Sequence, residues 1–236
     1  MTGAITIIPI DGIGEVADGD NIAEHVLATE AGAAIEAGDV LVVTQKIVSK
    51  AEGRLEPVDA DDPLSHKALV ERESKRVLRR RGDLVISETA HGFVCANAGI
   101  DLSNVERGYA ALLPIDSDRS ARRIRDAIRA RANKDVAVIV SDTFGRTWRR
   151  GLTDVALGCA GIAAIVDLRG TEDAFGRELH VTEVAVVDEL AAAAELVMGK
   201  SSGIPVAIVR GVDPAWLREG SVIDEIVRPP SEDLFR

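Results

Sequence analysis

Val136-Ala-Val-Ile-Val-Ser-Asp142-Thr143-Phe-Gly145-Arg146 is an apolar run of strand length that delivers a carboxylate, a hydroxyl, a glycine and an arginine at its end. A buried strand stopping in a polar cluster is where a protein that mixes strands with helices places its chemistry. Working outward, apolar runs of similar length lie at Ile5 to Ile10, Val40 to Val43, Leu84 to Ile86, Ala110 to Leu113, Ala163 to Val166 and Val206 to Val209. Between them, apolar residues recur at helical spacing over Ile22 to Ile35, Leu69 to Leu78, Ile124 with Ile128, and Val184, Val187, Ala191, Ala194 and Met198. The order is not a clean β-α-β repeat. Leu84 to Pro114 holds two strand candidates joined by a glycine-bearing loop, and Ala163 to Val181 reads as another strand pair. These features predict an α+β fold of mixed sheets with packed helices. They also predict one domain over 1–211, then a tail or linker over 212–236 punctuated by Pro214, Gly220, Pro229 and Pro230.

With 236 residues, 46% of them hydrophobic, the chain can bury a full core. Twenty-eight Lys and Arg stand against 39 Asp and Glu, and a net charge of -11 argues against a general nucleic-acid binder. No apolar run reaches the roughly 18 to 20 residues of a membrane span, and Met1-Thr-Gly-Ala-Ile-Thr lacks the basic start of a secretory signal. A cytoplasmic protein is expected, without nucleic-acid or membrane partners. Cys95 and Cys159 stand alone, so neither a disulfide framework nor a structural zinc site is supported, and both read as buried thiols.

Asp101, in Gly99-Ile-Asp101-Leu-Ser-Asn104, and Asp142 can hold a divalent cation between them. Mg²⁺ typically rests on one or two carboxylates plus substrate phosphates. Thr44-Gln-Lys-Ile-Val-Ser-Lys-Ala-Glu-Gly-Arg54 follows a strand, and in a regular helix Lys46 and Lys50 would share one face, suited to polyphosphate, although an ordinary polar loop fits equally well. Pro9-Ile-Asp11-Gly12-Ile13-Gly14-Glu15-Val16 lets the backbone approach a ligand but lacks the third glycine of a dinucleotide fingerprint. Its acids favour a base or ribose contact. Arg146-Thr-Trp148-Arg149-Arg150-Gly151, framed as a loop by Gly145 and Gly151, gathers three guanidiniums able to grip an anionic substrate. The arginine-rich stretches Arg72 to Arg81 and Arg119 to Arg131 read as solvated helix faces, with Ser120 an N-cap for the second. His91 is expected to hydrogen-bond rather than catalyse, and His25, His66 and His180 read as structural.

Four segments in order, Thr44 to Arg54, Gly92 to Asn104, Ser141-Asp-Thr-Phe-Gly-Arg146 and Ala194-Glu-Leu-Val-Met-Gly-Lys200, resemble the coenzyme F420-0:L-glutamate ligases, also called F420 gamma-glutamyl ligases. The resemblance implies a GTP-dependent ligase of coenzyme F420 biosynthesis that adds L-glutamate to F420-0 and extends a gamma-linked tail through an acyl phosphate, releasing GDP. It also implies the fold of that family, a homodimer, and Mg²⁺ or Mn²⁺. Matched by motif, Asp101 and Asp142 would hold the metal and Thr143 a second one. Ile13, Gly14, Glu15, Val16, Gln45, Lys50 and Asn104 would bind GTP. Asp101, Asp142, Lys50 and Arg146 would form the catalytic set. Two departures stand out: Leu152 where family members often have Gln, and Lys200 where archaeal members tend to have Gln or Glu, which puts a fixed positive charge near the second-metal position. The tail from Ile226 is similar to the junction in two-domain actinobacterial members, where a nitroreductase-like domain follows.

Two rival readings remain at the level of sequence. Another metal-dependent phosphotransferase or hydrolase would not lengthen the F420 tail. A noncatalytic F420- or nucleotide-binding module would be expected to lack one of the two aspartates, and both are present.

Overall fold

The computed structural model describes residues 3–234. In chain order the strands are β1 (Thr6–Pro9), β2 (Val40–Thr44), β3 (Leu55–Pro57), β4 (Ser74–Arg81), β5 (Leu84–Thr89), β6 (Val94–Ala96), β7 (Tyr109–Ala111), β8 (Ala137–Arg146), β9 (Arg149–Ala160), β10 (Val166–Asp167), β11 (Glu183–Val184) and β12 (Val206–Arg210). The helices are α1 (Ile22–Leu27), α2 (Glu30–Ala33), α3 (Gln45–Ala51), α4 (Lys67–Glu73), α5 (Ser117–Ala132), α6 (Val186–Met198) and α7 (Val222–Glu225). The content is α+β, as expected. Among the described residues no helix is long and apolar enough to cross a membrane.

A five-stranded sheet runs β1-β12-β2-β8-β9, with β2 and β8 parallel and the other pairs antiparallel. Strand alternation gives it two apolar faces. Val40, Val42, Ala137, Ile139, Ala207 and Val209 pack with Val187, Leu190, Ala194 and Met198 of α6, while Leu41, Val43, Val138, Val140 and Ile208 pack with Val26 of α1, Ile47 of α3 and Ile124 of α5. Because both faces are covered, the β2 and β8 sequences are continuously apolar. Their parallel register runs from Val40↔Ala137 to Thr44↔Ser141, so β2 ends beside Ser141, where the polar part of β8 begins and continues paired to β9 alone.

The expected helix Leu69 to Leu78 stops at Glu73, where the Ser74 hydroxyl donates to Val70 O at 2.6 Å, and Ser74–Arg81 becomes a strand paired with β5. Lys75 and Arg76 both reach Glu88 across that pair, at 3.3 and 3.2 Å, so opposite charges on neighbouring strands replace a helical face. The expected strands at 84–86 and 110–113 are not partners: β5 lies between β4 and β6, and β7 pairs with β3. Ile22 to Ile35 breaks at Thr29, whose side chain caps α2 by accepting from Gly32 N at 3.0 Å. Gly32 permits that turn, because a Cβ there would lie 1.8 Å from Val26 O.

At α5 the cap is Asp116, accepting from Arg119 N at 2.9 Å, rather than Ser120. Ala163 and Ala164 are buried outside any strand, and among the described residues the short pair β10–β11 and a bridge between Glu172 and Glu178 supply the strand pairing that follows. Arg149 and Gly151, expected in a loop, begin β9. The chain turns at Trp148 (φ 66°) and pairs back along β8.

The expected tail packs on the core through residue 227 instead of leaving at 212. Val222 is fully buried, and the buried Asp118 carboxylate accepts from Cys159 N, Val222 N and Ser221 Oγ at 2.7, 3.0 and 2.8 Å, tying α5, β9 and α7 together. Met1 and Thr2 of the expected start, and Phe235 and Arg236 of the tail, lie outside the described residues.

Candidate active site

A cavity of about 720 Å³ opens where β2 ends beside Ser141 of β8, with the loops after β1 and β6 and the turn after α6 completing its wall. Clefts at the ends of parallel strands are natural ligand sites, because the chain changes direction there and exposes backbone and polar termini.

From β2 the chain enters α3 without a break, and Gln45 is buried at its start. The Gln45 Oε1 accepts from Ser49 Oγ at 2.8 Å, while its Nε2 is buried with no hydrogen-bond partner among the described residues. A buried amide donor left unpaired costs about 1–3 kcal/mol, so it fits a site that receives an acceptor from a ligand. One helical turn apart, Lys46 and Lys50 lie on the cavity side, as the i,i+4 spacing predicts. Lys46 Nζ is 2.6 Å from Asp101 Oδ2, and Lys50 pairs with Glu15.

The Asp101 segment is held by unusual backbone. Asn97 and Ala98 have φ of 49° and 54°, Gly99 follows at 73°, and a single bridge then pairs Asp101 with Ala111. Left-handed non-glycine residues persist only where their surroundings over-determine them, a pattern frequent at functional sites. Ser103 fixes the carboxylate, its N–H donating to Oδ1 and its hydroxyl to Oδ2, both at 2.8 Å. Asn104, also left-handed, donates from Nδ2 to Lys200 O at 3.2 Å, linking this loop to the turn after α6.

On β8 the pairing with β9 shifts register between Val140 and Ser141, an irregularity of the kind that re-aims side chains. Beyond it Asp142 and Thr143 line the cavity. Thr143 faces Asp154 of β9 and donates its hydroxyl proton to Asp154 Oδ1, while Ser141 Oγ donates to Asp154 Oδ2 at 3.2 Å. The Lys200 ammonium in turn donates to Thr143 Oγ1.

The two aspartates differ electrically. Burial pushes the Asp142 carboxyl up to about 7, against the opposing pull of the Thr143 N–H, Lys46 and Lys200. Burial also acts on Asp101, but the Lys46 ammonium and the two Ser103 donors outweigh it and hold that carboxyl below its ordinary value. Asp101 in turn raises Asp142 and Lys46 lowers it, which places both carboxylates in one electrostatic neighbourhood. Glu195 of α6 also lines the cavity, its carboxyl raised by burial and by Asp154 and eased by Lys200.

Of the residues expected from sequence, Ile13, Gly14, Glu15, Val16, Gln45, Lys50, Asp101, Asn104, Asp142 and Thr143 all line this cavity. Arg146 does not. It stands exposed near the tip of the β8–β9 hairpin, its guanidinium donating to Arg150 O at 3.2 Å, because strand pairing carries the chain away from the cavity after Thr143. His91 hydrogen-bonds Ile115 O at 3.1 Å and stacks on Phe93, outside the cavity. The sequence reading assigned no role to Asp154, Glu195 or Ser103, and left Lys46 without a partner. Asp154 was hidden because the start of its strand, to Gly151, read as a loop and the rest was assigned no element; a hairpin reading would have set it opposite Thr143.

The cavity combines carboxylates able to grip a hard cation with ammonium groups and an unpaired amide able to meet phosphate and carbonyl oxygens. The model of a family described as F420-0:Gamma-glutamyl ligase matches residues 12–211. Among curated relatives, the coenzyme F420:L-glutamate ligase of Methanothermobacter thermautotrophicus is 42% identical over 250 residues, covering 98% of this chain and 99% of its own. The protein of that name from Methanopyrus kandleri is 43% identical over 239 residues, covering 94% of each. That from Archaeoglobus fulgidus is 39% identical over 248 residues, covering 98% of this chain and 96% of its own.

Proposed function

The chain belongs to the F420-0:gamma-glutamyl ligase family, and from that premise we propose that it is a GTP-dependent ligase of coenzyme F420 biosynthesis. Its reaction would join the amine of L-glutamate to the terminal carboxylate of F420-0, then extend the product through gamma linkages. One observation carries the reading: residues scattered from Ile13 to Thr143, implied by motif for nucleotide and metal, line a single cavity.

A carboxylate is a poor acyl donor. In the proposed reaction its oxygen attacks the γ-phosphorus of GTP, the bond to the β-phosphate oxygen breaks, and GDP leaves. The glutamate amine then attacks the acyl phosphate, losing a proton and expelling inorganic phosphate. Phosphoryl transfer of this kind depends mainly on positioning and charge stabilisation. Lys50, at the cavity edge beside Glu15, is placed to meet the phosphates, and the unpaired Gln45 amide to donate to a carbonyl or phosphate oxygen.

Asp101 and Asp142 fit one Mg²⁺ or Mn²⁺, which when bound would neutralise phosphate charge. Among the described residues no group of three or more His, Cys, Asp or Glu can hold an ion unaided, so the pair suits a cation that brings phosphate oxygens with it. A second cation at Thr143 fits poorly. That hydroxyl gives its proton to Asp154 and accepts from Lys200, whose fixed charge would repel an ion there. A homodimer in the cytoplasm completes the proposal, and the exposed Trp148 and Leu152 on the β8–β9 hairpin offer an apolar surface for a second copy.

Incubating the protein with F420-0, L-glutamate, Mg²⁺ and either GTP or ATP, followed by mass spectrometry, tests the activity. F420 species lengthened by glutamate with GTP are expected. Nucleotide hydrolysis without lengthening would favour the hydrolase reading instead.

A further inference from the structure

Among the described residues, Lys46 is the cavity lysine whose ammonium is buried without a hydrogen-bond partner of good geometry. Its side chain is 12% exposed, its Nζ meets Asp101 in an ion pair at 2.6 Å, and no further hydrogen-bond partner is found among the described residues. An ammonium carries three donors and no acceptor, so at least part of its capacity is left over in a desolvated place. Its charge acts on Asp142 as well as on Asp101. Lys50, one turn along α3, is just as buried, its side chain 11% exposed, but its ammonium donates to a Glu15 side chain that is 81% exposed, so it differs in its partner and not in its burial.

An ammonium and a divalent cation cannot both press on the same carboxylate without strong mutual repulsion. Lys46 also has a flexible four-carbon stem, so its head group can shift while α3 stays packed through Ile47 and Val48. Phosphate oxygens entering with a nucleotide would supply the acceptors that its unspent donors lack.

We propose that Lys46 is an exchangeable counter-ion for Asp101: without ligands it holds that carboxylate, and when a nucleotide arrives it passes to phosphate and frees Asp101 for the cation. Metal binding is then coupled to nucleotide binding, and the free protein resists metal. The idea rests on the metal reading of Asp101 and Asp142 given above. Lys46 acts as a positioning residue. An ion pair serving only the fold would lower stability on removal without changing metal affinity.

Mn²⁺ affinity, read from the electron paramagnetic resonance signal of free Mn²⁺, tests this with and without a non-hydrolysable GTP analogue. In the native protein the analogue is expected to tighten Mn²⁺ binding about tenfold or more, within the usual range of site-to-site coupling. Lys46→Met should bind Mn²⁺ alone about tenfold more tightly than the native protein, and the analogue less tightly. Should that variant fail to fold by circular dichroism, Lys46→Gln takes its place, and the native comparison needs no variant. Equal native Mn²⁺ affinity with and without the analogue, or unchanged Mn²⁺ affinity on removing the ammonium, would overturn the counter-ion role. An Asp142→Asn control separates the two layers: if it retains native Mn²⁺ binding, or the native protein binds none with the analogue present, the metal reading itself is wrong and the exchange falls with it.

Discussion

The cavity and the β8–β9 hairpin each carry three cationic side chains, yet only the cavity surrounds them with acids. Lys46 meets Asp101, Lys50 meets Glu15, and Lys200 meets the hydroxyl that Asp154 holds. On the hairpin, Arg146 has a backbone carbonyl for a partner, and no carboxylate bridges Arg146, Arg149 or Arg150 among the described residues. The difference is one of assembly rather than composition. Cavity residues come from segments far apart in sequence that sheet pairing brings together, whereas the hairpin arginines are neighbours along the chain. Density of charge in sequence therefore says less about a site than convergence of opposite charges in space.

The largest effect is expected where that convergence is tightest. Asp142→Asn should lower ligase activity by at least about a hundredfold, since it removes an anionic oxygen from a site built on charge stabilisation. Stability should move the other way. Burial raises the folded-state Asp142 carboxyl from the ordinary 3.8 to about 7, so the ionised group costs stability as pH climbs through that interval. Asparagine carries no such cost, and at pH 8 without metal the variant should melt no lower than the native protein. Retained activity would end the cavity's claim to be the active site.

Asp154→Ala separates scaffolding from chemistry inside the cavity. The buried carboxylate anchors both the Ser141 and Thr143 hydroxyls, and leaving buried polar groups unpaired typically costs about 1–3 kcal/mol. Denaturant melts should show that loss. Activity should fall about tenfold to a hundredfold through misplacement of Thr143 and Lys200, as when supporting groups around a site are removed. Loss of stability with full activity would mean that Thr143 needs no fixed partner.

Much of this was legible in the sequence because the cavity segments are short, polar and attached to strongly apolar strands. The run ending at Val43 marks β2 almost to the residue, the run ending at Val140 marks the start of β8 but not its extension to Arg146, and Lys46 and Lys50 have the helical spacing they adopt. What stayed hidden depends on pairing. β9 begins with arginines and glycine, so nothing local marks it as a strand until it lies against β8, and Asp154 gains meaning only opposite Thr143. β4 failed for the same reason, because its arginines suit a solvated helix as well as a charged edge strand. The buried partnership of Asp118 with the residues near 222 has a comparable origin, since long-range hydrogen bonds leave no period in the sequence.

The smallest effect is expected on the hairpin, and there the comparison is most exposed to refutation. Arg146→Ala, and then the triple change at Arg146, Arg149 and Arg150, should alter activity of the isolated chain by no more than about twofold, the size of effect usual for exposed side chains away from a site. Sedimentation of the triple variant should be compared with that of Trp148→Glu, which places a charge on the 86% exposed side chain at the turn. If Trp148→Glu yields a monomer with reduced activity while the arginine variant stays dimeric and active, the hairpin serves association through its apolar tip. A loss beyond about tenfold in the arginine variant, in KM for F420-0 or for glutamate, would instead mean that the hairpin contacts a substrate, since none of these guanidiniums lines the cavity.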